Sequence, residues 1–197
     1  KTYPCGAGNH PGPRSTPAVD DGSVYTLSRE GHLICFDADS GRPNWNRKLE
    51  VGIPTWGLAS SPLITGDLVI VNAGTAGMAF RKSNGRPAWS NGGGTGGYAS
   101  VVPMKAGSRS VLLIFGERSF IGVNASNGRR LFDFPWQTRH NVNAADPLVV
   151  GNHVLIGSGY GNGAALLSIG SRPRPVWRTR VLKMHFSSPV LWKDHVY

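Results

Sequence analysis

Apolar residues along the chain fall in short β-branched and aromatic runs divided by turns rich in Gly, Pro, Asn and Ser. This alternation predicts strands and hairpins, with no helix longer than about three turns. A Ser/Thr-rich opening followed by Pro and apolar residues occurs at Ser15-Thr16-Pro17-Ala18-Val19, Ser60-Ser61-Pro62-Leu63-Ile64, Asp146-Pro147-Leu148-Val149 and Ser187-Ser188-Pro189-Val190-Leu191. A further copy, Ser100-Val101-Val102-Pro103, stands about two residues out of register. After a polar turn comes a second run each time: Val24–Leu27, Val69–Val71, Val111–Ile114, Val154–Ile156 and Val196-Tyr197. The first valines of these runs lie 45, 42, 43 and 42 residues apart. A period of this length is the mark of a propeller or solenoid.

A third run (Leu33–Asp37, Met78–Arg81, Ile121–Asn124, Ala165–Ile169) leads into a turn, then into a fourth run carrying a large aromatic. The turn glycines Gly41, Gly85 and Gly128 stand four residues before Trp45, Trp89 and Phe132. Glycine suits these turns because it accepts positive φ without a Cβ clash. Each repeat is thus expected to be a four-stranded antiparallel meander. A lone meander cannot hide both of its faces, so successive sheets must stack, with the outer-strand aromatic wedged between them. The predicted fold is all-β: a single partial β-propeller domain over 1–197. Its blades are expected at about 13–50, 57–91, 98–134 and 142–182, with Trp45, Trp89, Phe132 and Trp177 in equivalent places, and a fifth starts at 186–197. An open arc would expose sheet faces, so the residues are expected to belong to a larger propeller whose remaining blades are its nearest partners.

Composition narrows the picture further. With 27 Gly and 14 Pro among 197 residues and 40% hydrophobic residues, both a helical bundle and a disordered chain are excluded. The longest apolar runs, such as 110–115 and 146–150, are far short of the roughly 20 residues of a membrane helix. The net charge is +10, from 21 Lys and Arg against 11 Asp and Glu, which admits an anionic partner. The one basic cluster, Arg172, Arg174, Arg178, Arg180 and Lys183, reads either as a solvated outer strand or as a polyanion patch. Arg178 and Arg180 would share one strand face. Sequence-specific nucleic-acid binding is not expected, since no contiguous basic stripe with aromatic platforms is evident. Cys5 and Cys35 could form one disulfide, or Cys35 could be a buried free thiol.

The segment Cys35-Phe36-Asp37-Ala38-Asp39-Ser40-Gly41-Arg42-Pro43-Asn44-Trp45 resembles the tryptophan-docking motif of the quinoprotein, or PQQ-like, propeller repeat, with Asp37, Ser40, Gly41 and Trp45 in the family's places. The second copy keeps Gly85 and Trp89 but has Arg81 for Asp. The third keeps Gly128 and replaces Trp by Phe132. The fourth keeps Trp177 and carries Ser171-Arg172-Pro173 where the turn glycine belongs. The whole string is similar to PQQ-binding-like repeat proteins of planctomycete-type bacteria, often labelled putative poly(vinyl alcohol) dehydrogenases or likened to the propeller lipoprotein of outer-membrane assembly. The resemblance implies a propeller of seven or eight blades, a periplasmic or otherwise exported location, and either of two functions. One is a binding or scaffold module for a protein or polymer partner. The other is a PQQ- and calcium-dependent alcohol dehydrogenase with its cofactor ligands in the missing blades.

Ligand sites of propellers gather where the segments joining one blade's outer strand to the next blade's inner strand converge. These connectors carry Asn9, His10, Trp56, Tyr98, His140, Asn141, Asn143 and His185, which either cap their blades or line a binding mouth. The histidines lack H-x-x-x-H or H-x-H spacing, so no metal site is assigned. The catalytic residues of quinoprotein dehydrogenases cannot be carried over: only three Glu are present, Asp146 alone stands near an inner strand, and there is no vicinal cysteine pair. No cofactor is identified, PQQ and calcium following from the resemblance alone. Gly157-x-Gly159-x-Gly161-x-Gly163 lacks the helix and the acidic residue of a dinucleotide loop and reads as a wide hairpin turn. Gly92-Gly93-Gly94-Thr95-Gly96-Gly97 reads as a flexible loop at the mouth.

Overall fold

The computed structural model describes residues 12–197, and among these there is no α-helix. The first sheet is a meander of β1 (Ala18–Asp20), β2 (Ser23–Leu27), β3 (His32–Asp37) and β4 (Pro43–Lys48). The second has β5 (Leu63–Thr65), β6 (Leu68–Val71), β7 (Met78–Arg81) and β8 (Pro87–Ser90). The third has β9 (Val102–Ala106), β10 (Arg109–Phe115), β11 (Ser119–Asn124) and β12 (Arg130–Pro135). The fourth has β13 (Leu148–Val150), β14 (His153–Ser158), β15 (Gly163–Ser168) and β16 (Arg174–Thr179), and a hairpin of β17 (Leu191–Trp192) and β18 (His195–Val196) follows. Every pairing within these sheets is antiparallel. This is the expected propeller arc of four-stranded blades, open rather than closed.

The stacking follows from the two-residue period of the strands. In β6, Val69 and Val71 turn toward the first blade and pack with Tyr25, Leu27 and Trp45. Leu68 and Ile70 turn the other way, toward Leu112, Ile114 and Ile121 of the third blade. The opposite face of that blade, with Leu113, Phe115 and Phe132, packs on Val154, Ile156 and Leu167 of the fourth. The middle strands β6, β10 and β11 of the second and third blades are therefore buried on both faces, which is why they read as continuous apolar runs, whereas β2 and β3 of the first blade alternate between buried and half-buried positions.

The four aromatics occupy one register position. Each pairs with the last residue before a one-residue shift in the third-to-fourth strand ladder: Cys35 with Trp45, Ala79 with Trp89, Gly122 with Phe132, Leu166 with Trp177. The Trp45 and Trp89 indoles donate to the next blade's turn, at Lys82 O (2.7 Å) and Ala125 O (3.1 Å). Phe132 has no N–H to donate, and its ring lies over Gly122 of its own sheet, where a Cβ would sit 2.2 Å from the ring. Trp177 is 40% exposed, on the face that no further four-stranded sheet covers. Arg81, which takes the place of the motif's Asp, forms an ion pair with Asp67 in the β5–β6 turn of its own blade.

Three expectations are corrected. Ser100 is in register with the other strand openings, as the hydrogen bonds described below establish, so Val101 holds the repeat's proline position and Pro103 lies inside β9 opposite Leu112. The Gly92–Gly97 run is not a loose loop. A Cβ on Gly94 would fall 2.5 Å from Thr75 Oγ1, and one on Gly96 or Gly97 2.6 Å from Asn72 O or 2.1 Å from Phe115 O, so Gly94 lies against a side chain and Gly96 and Gly97 permit backbone to lie directly on backbone. Arg178 and Arg180 do not share a strand face: β16 ends at Thr179, and the Arg178 guanidinium lies 4.7 Å from the centre of the buried Trp136 ring. Cys35 is a buried free thiol, 2% exposed, whereas Cys5 lies outside the described residues.

Candidate binding mouth

The first strands of successive blades are linked by one repeated hydrogen bond. The backbone N–H of Thr16 donates to Ser61 Oγ (3.0 Å), that of Ser61 to Ser100 Oγ (3.2 Å), that of Ser100 to Asp146 Oδ1 (2.6 Å) and that of Asp146 to Ser188 Oγ (2.9 Å). The residue opening each inner strand thus offers a side-chain oxygen to the blade before it. The Ser/Thr-rich opening seen in the sequence is this chain of bonds, and Asp146 is its one carboxylate. Burial pushes the Asp146 carboxyl above the usual range, opposed by its bonds from Ser100.

All five of these residues line a cavity of about 710 Å³, together with Arg14 and the aromatic rings of Trp56, Tyr98, Tyr160 and Phe186. Trp56 and Tyr98 come from consecutive blade connectors, and their rings meet at 6.1 Å between centroids. Burial raises the Tyr98 hydroxyl pKa, and the negative charge of Glu117, in the β10–β11 turn, adds to it. His140, Tyr160, His185 and Phe186 form a continuous ladder with centroid distances of 4.9, 4.7 and 3.7 Å. Gly159 makes room for it: a Cβ there would lie 2.9 Å from the His185 ring.

The connector residues named from sequence therefore divide into groups. Trp56 and Tyr98 line the cavity, while exposed His140 and half-buried His185 flank it through Tyr160. Asn141 has positive φ (55°) and accepts a hydrogen bond from Gln137 Nε2. Asn143 is not at the mouth. Fully buried, it donates to Gly116 O, Glu117 O and Trp136 O and accepts from Ser158 Oγ, tying the third blade to the fourth. In the preceding blade Asn72 has the matching role, with bonds to Ala99 O, Phe115 O and Gly97 N. Asn9 and His10 lie outside the described residues. Sequence reasoning missed Tyr160, hidden in the glycine string between β14 and β15, and missed the serine openings as cavity lining because they read as strand starts.

The residues present do not fit a calcium-held quinone. Calcium takes six to eight oxygen ligands, several of them carboxylates. The cavity offers one carboxylate, already bound to Ser100, and no cluster of three His, Cys, Asp or Glu occurs among the described residues.

Stacked four-stranded blades, an aromatic in one register position and a turn docked on it from the next blade define a β-propeller built of PQQ-like repeats. Residues 7–197 match the PQQ_2 family, described as outer membrane protein assembly factor BamB, and the chain belongs to that family. Among solved structures it is similar to BamB from Moraxella catarrhalis (18% identity, TM-score 0.69), over 93% of this chain and 57% of that one. It is also similar to the quinohemoprotein alcohol dehydrogenase ADHIIG from Pseudomonas putida HK5 (13% identity, TM-score 0.57), over 94% and 38%. The computationally designed Ika8 protein matches at 12% identity and TM-score 0.60, over 92% of this chain and 54% of that one. The chain thus spans little more than half the length of the BamB it resembles. None of the curated proteins matches the sequence.

Proposed function

We propose that the chain belongs to an exported, non-catalytic propeller that binds a protein or polymer partner at the mouth formed by its blade connectors. The observation that carries this reading is the cavity itself, lined both by hydroxyls fixed by the inter-blade bonds and by Trp56, Tyr98, Tyr160 and Phe186. Membership in a family described as an assembly factor supports a partner-binding role, and the exposed face around Trp177 supports further blades beside it. Exposed aromatic rings beside fixed polar groups suit recognition, since they bury large area with few rotatable bonds.

A photo-crosslinking residue placed at Tyr98 tests the reading, with the same residue at Asn127, on the turn between β11 and β12, as the control. Selective capture from position 98 in cells is the expected result. Equal capture from both positions, or none, overturns it. Oxidation of alcohols with an artificial electron acceptor, dependent on added PQQ and calcium and abolished by a chelator, would instead establish the dehydrogenase reading.

A further inference from the structure

We infer that the ligand of this mouth is a neutral oligosaccharide chain, an assignment that rests on the mouth being the binding surface and names the chemistry it recognises. A cavity of about 710 Å³ is in the range that takes a small-molecule ligand or a few units of a polymer. Aromatic rings line it, the Trp56–Tyr98 pair in contact with each other, and Tyr160 and Phe186. Phe186 is 71% exposed, with one ring face stacked on His185, and Tyr160 is 40% exposed, so apolar ring surface is held in water beside the cavity. A sugar ring has an apolar C–H face to lay on such a surface and hydroxyls around its edge that require polar partners.

The hydrogen-bonded strand openings supply those partners in a fixed array. The hydroxyls of Ser61 and Ser188 each accept one backbone N–H, which fixes their positions while leaving an O–H and a second lone pair for a ligand. Asp146 presents a carboxylate and Arg14 a guanidinium to the same space, groups that bond hydroxyls well. One charge of each sign gives little net attraction for an ion. A nucleic acid or sulfated polymer needs several cations, and among the described residues Arg14 is the one lining the cavity; a basic peptide needs several carboxylates, and among the described residues Asp146 is the one. A ligand with many hydroxyls and no charge matches both the aromatic and the polar lining.

Isothermal titration of the protein with neutral hexasaccharides (cellohexaose, maltohexaose and chitohexaose) tests the inference. At least one should bind, and Trp56→Ala should weaken it by about tenfold or more. Because Trp56 is partly buried, Phe186→Ala, at an exposed position, serves as a second variant expected to weaken binding with unchanged thermal unfolding. Affinity equal in both variants and the parent overturns the placement in this cavity. Absence of heat with every sugar, while the crosslinker at position 98 still captures a polypeptide, overturns the saccharide assignment and leaves the mouth standing. Absence of both heat and capture overturns the two together.

Discussion

The indole of Trp45 lies directly beneath Gly85 of the next blade, where a Cβ would sit 2.6 Å from ring atom Cε3, and its Nε1–H donates to Lys82 O at 2.7 Å. Arg47, on the same strand, extends this contact by donating to Gly85 O and Asn84 O at 2.9 and 3.0 Å. Gly128 and Trp89 repeat the relationship one blade on, with the Cβ position 2.5 Å from the ring. Blade stacking is therefore fixed by a carbonyl and a missing side chain as well as by apolar area.

Replacing Gly85 or Gly128 by Ala forces both a left-handed backbone (φ 66° and 70°) and a ring collision, and is expected to cost about 2–4 kcal/mol in urea unfolding. Gly41→Ala imposes the same backbone (φ 68°) with nothing within 4 Å of the Cβ, and should cost only about 1 kcal/mol. Equal losses at all three positions would remove docking from the explanation.

Asn72→Ala strands two buried carbonyls and the Gly97 N–H, and should lower stability by about 2–4 kcal/mol. Asn72→Leu, branched at the same carbon but larger and apolar, should not restore it, because the deserted partners are backbone groups. Thermal unfolding monitored by near-ultraviolet circular dichroism measures both.

Asp146 should give an inverted pH dependence. Its carboxyl pKa is raised in the folded state by burial, so between the ordinary carboxylate pKa and the raised value the folded protein binds more protons than the unfolded chain. The stability this contributes is complete below the ordinary value and is lost as pH rises through the folded one. Asp146→Asn keeps an acceptor for Ser100 N, and its melting temperature relative to the parent should rise from pH 4 to pH 7. A relative melting temperature that falls over this range contradicts the burial argument.

The basic cluster divides by role. Arg178→Gln removes the stacking on Trp136 and should lower stability by about 0.5–1 kcal/mol. Arg174→Gln with Arg180→Gln, both at exposed positions, should leave stability unchanged and weaken retention on a polyanion column, with a shallower salt dependence. Unchanged elution would mean that these charges serve solubility alone.

The blade repeat was legible because it follows from local chemistry. Strands need β-branched alternation, hairpins need Gly at positive φ, and a period near 43 residues places Trp45, Trp89, Phe132 and Trp177 in one register position whatever the rest of the chain does. The serine openings were equally visible as a pattern, yet their meaning was not: that Ser61 serves Thr16, and Ser188 serves Asp146, depends on bonds between residues more than 40 positions apart. The same holds for Asn143, which lies on a connector beside mouth residues but turns inward to satisfy three carbonyls, and for Tyr160, carried to the mouth by a glycine turn that looked like mere punctuation. Glycines 94, 96 and 97 read as slack and proved to be points of close contact. Local backbone preference writes the strands into the sequence, whereas the partner of a polar side chain, or the space a missing Cβ leaves free, is settled only when one blade packs on the next.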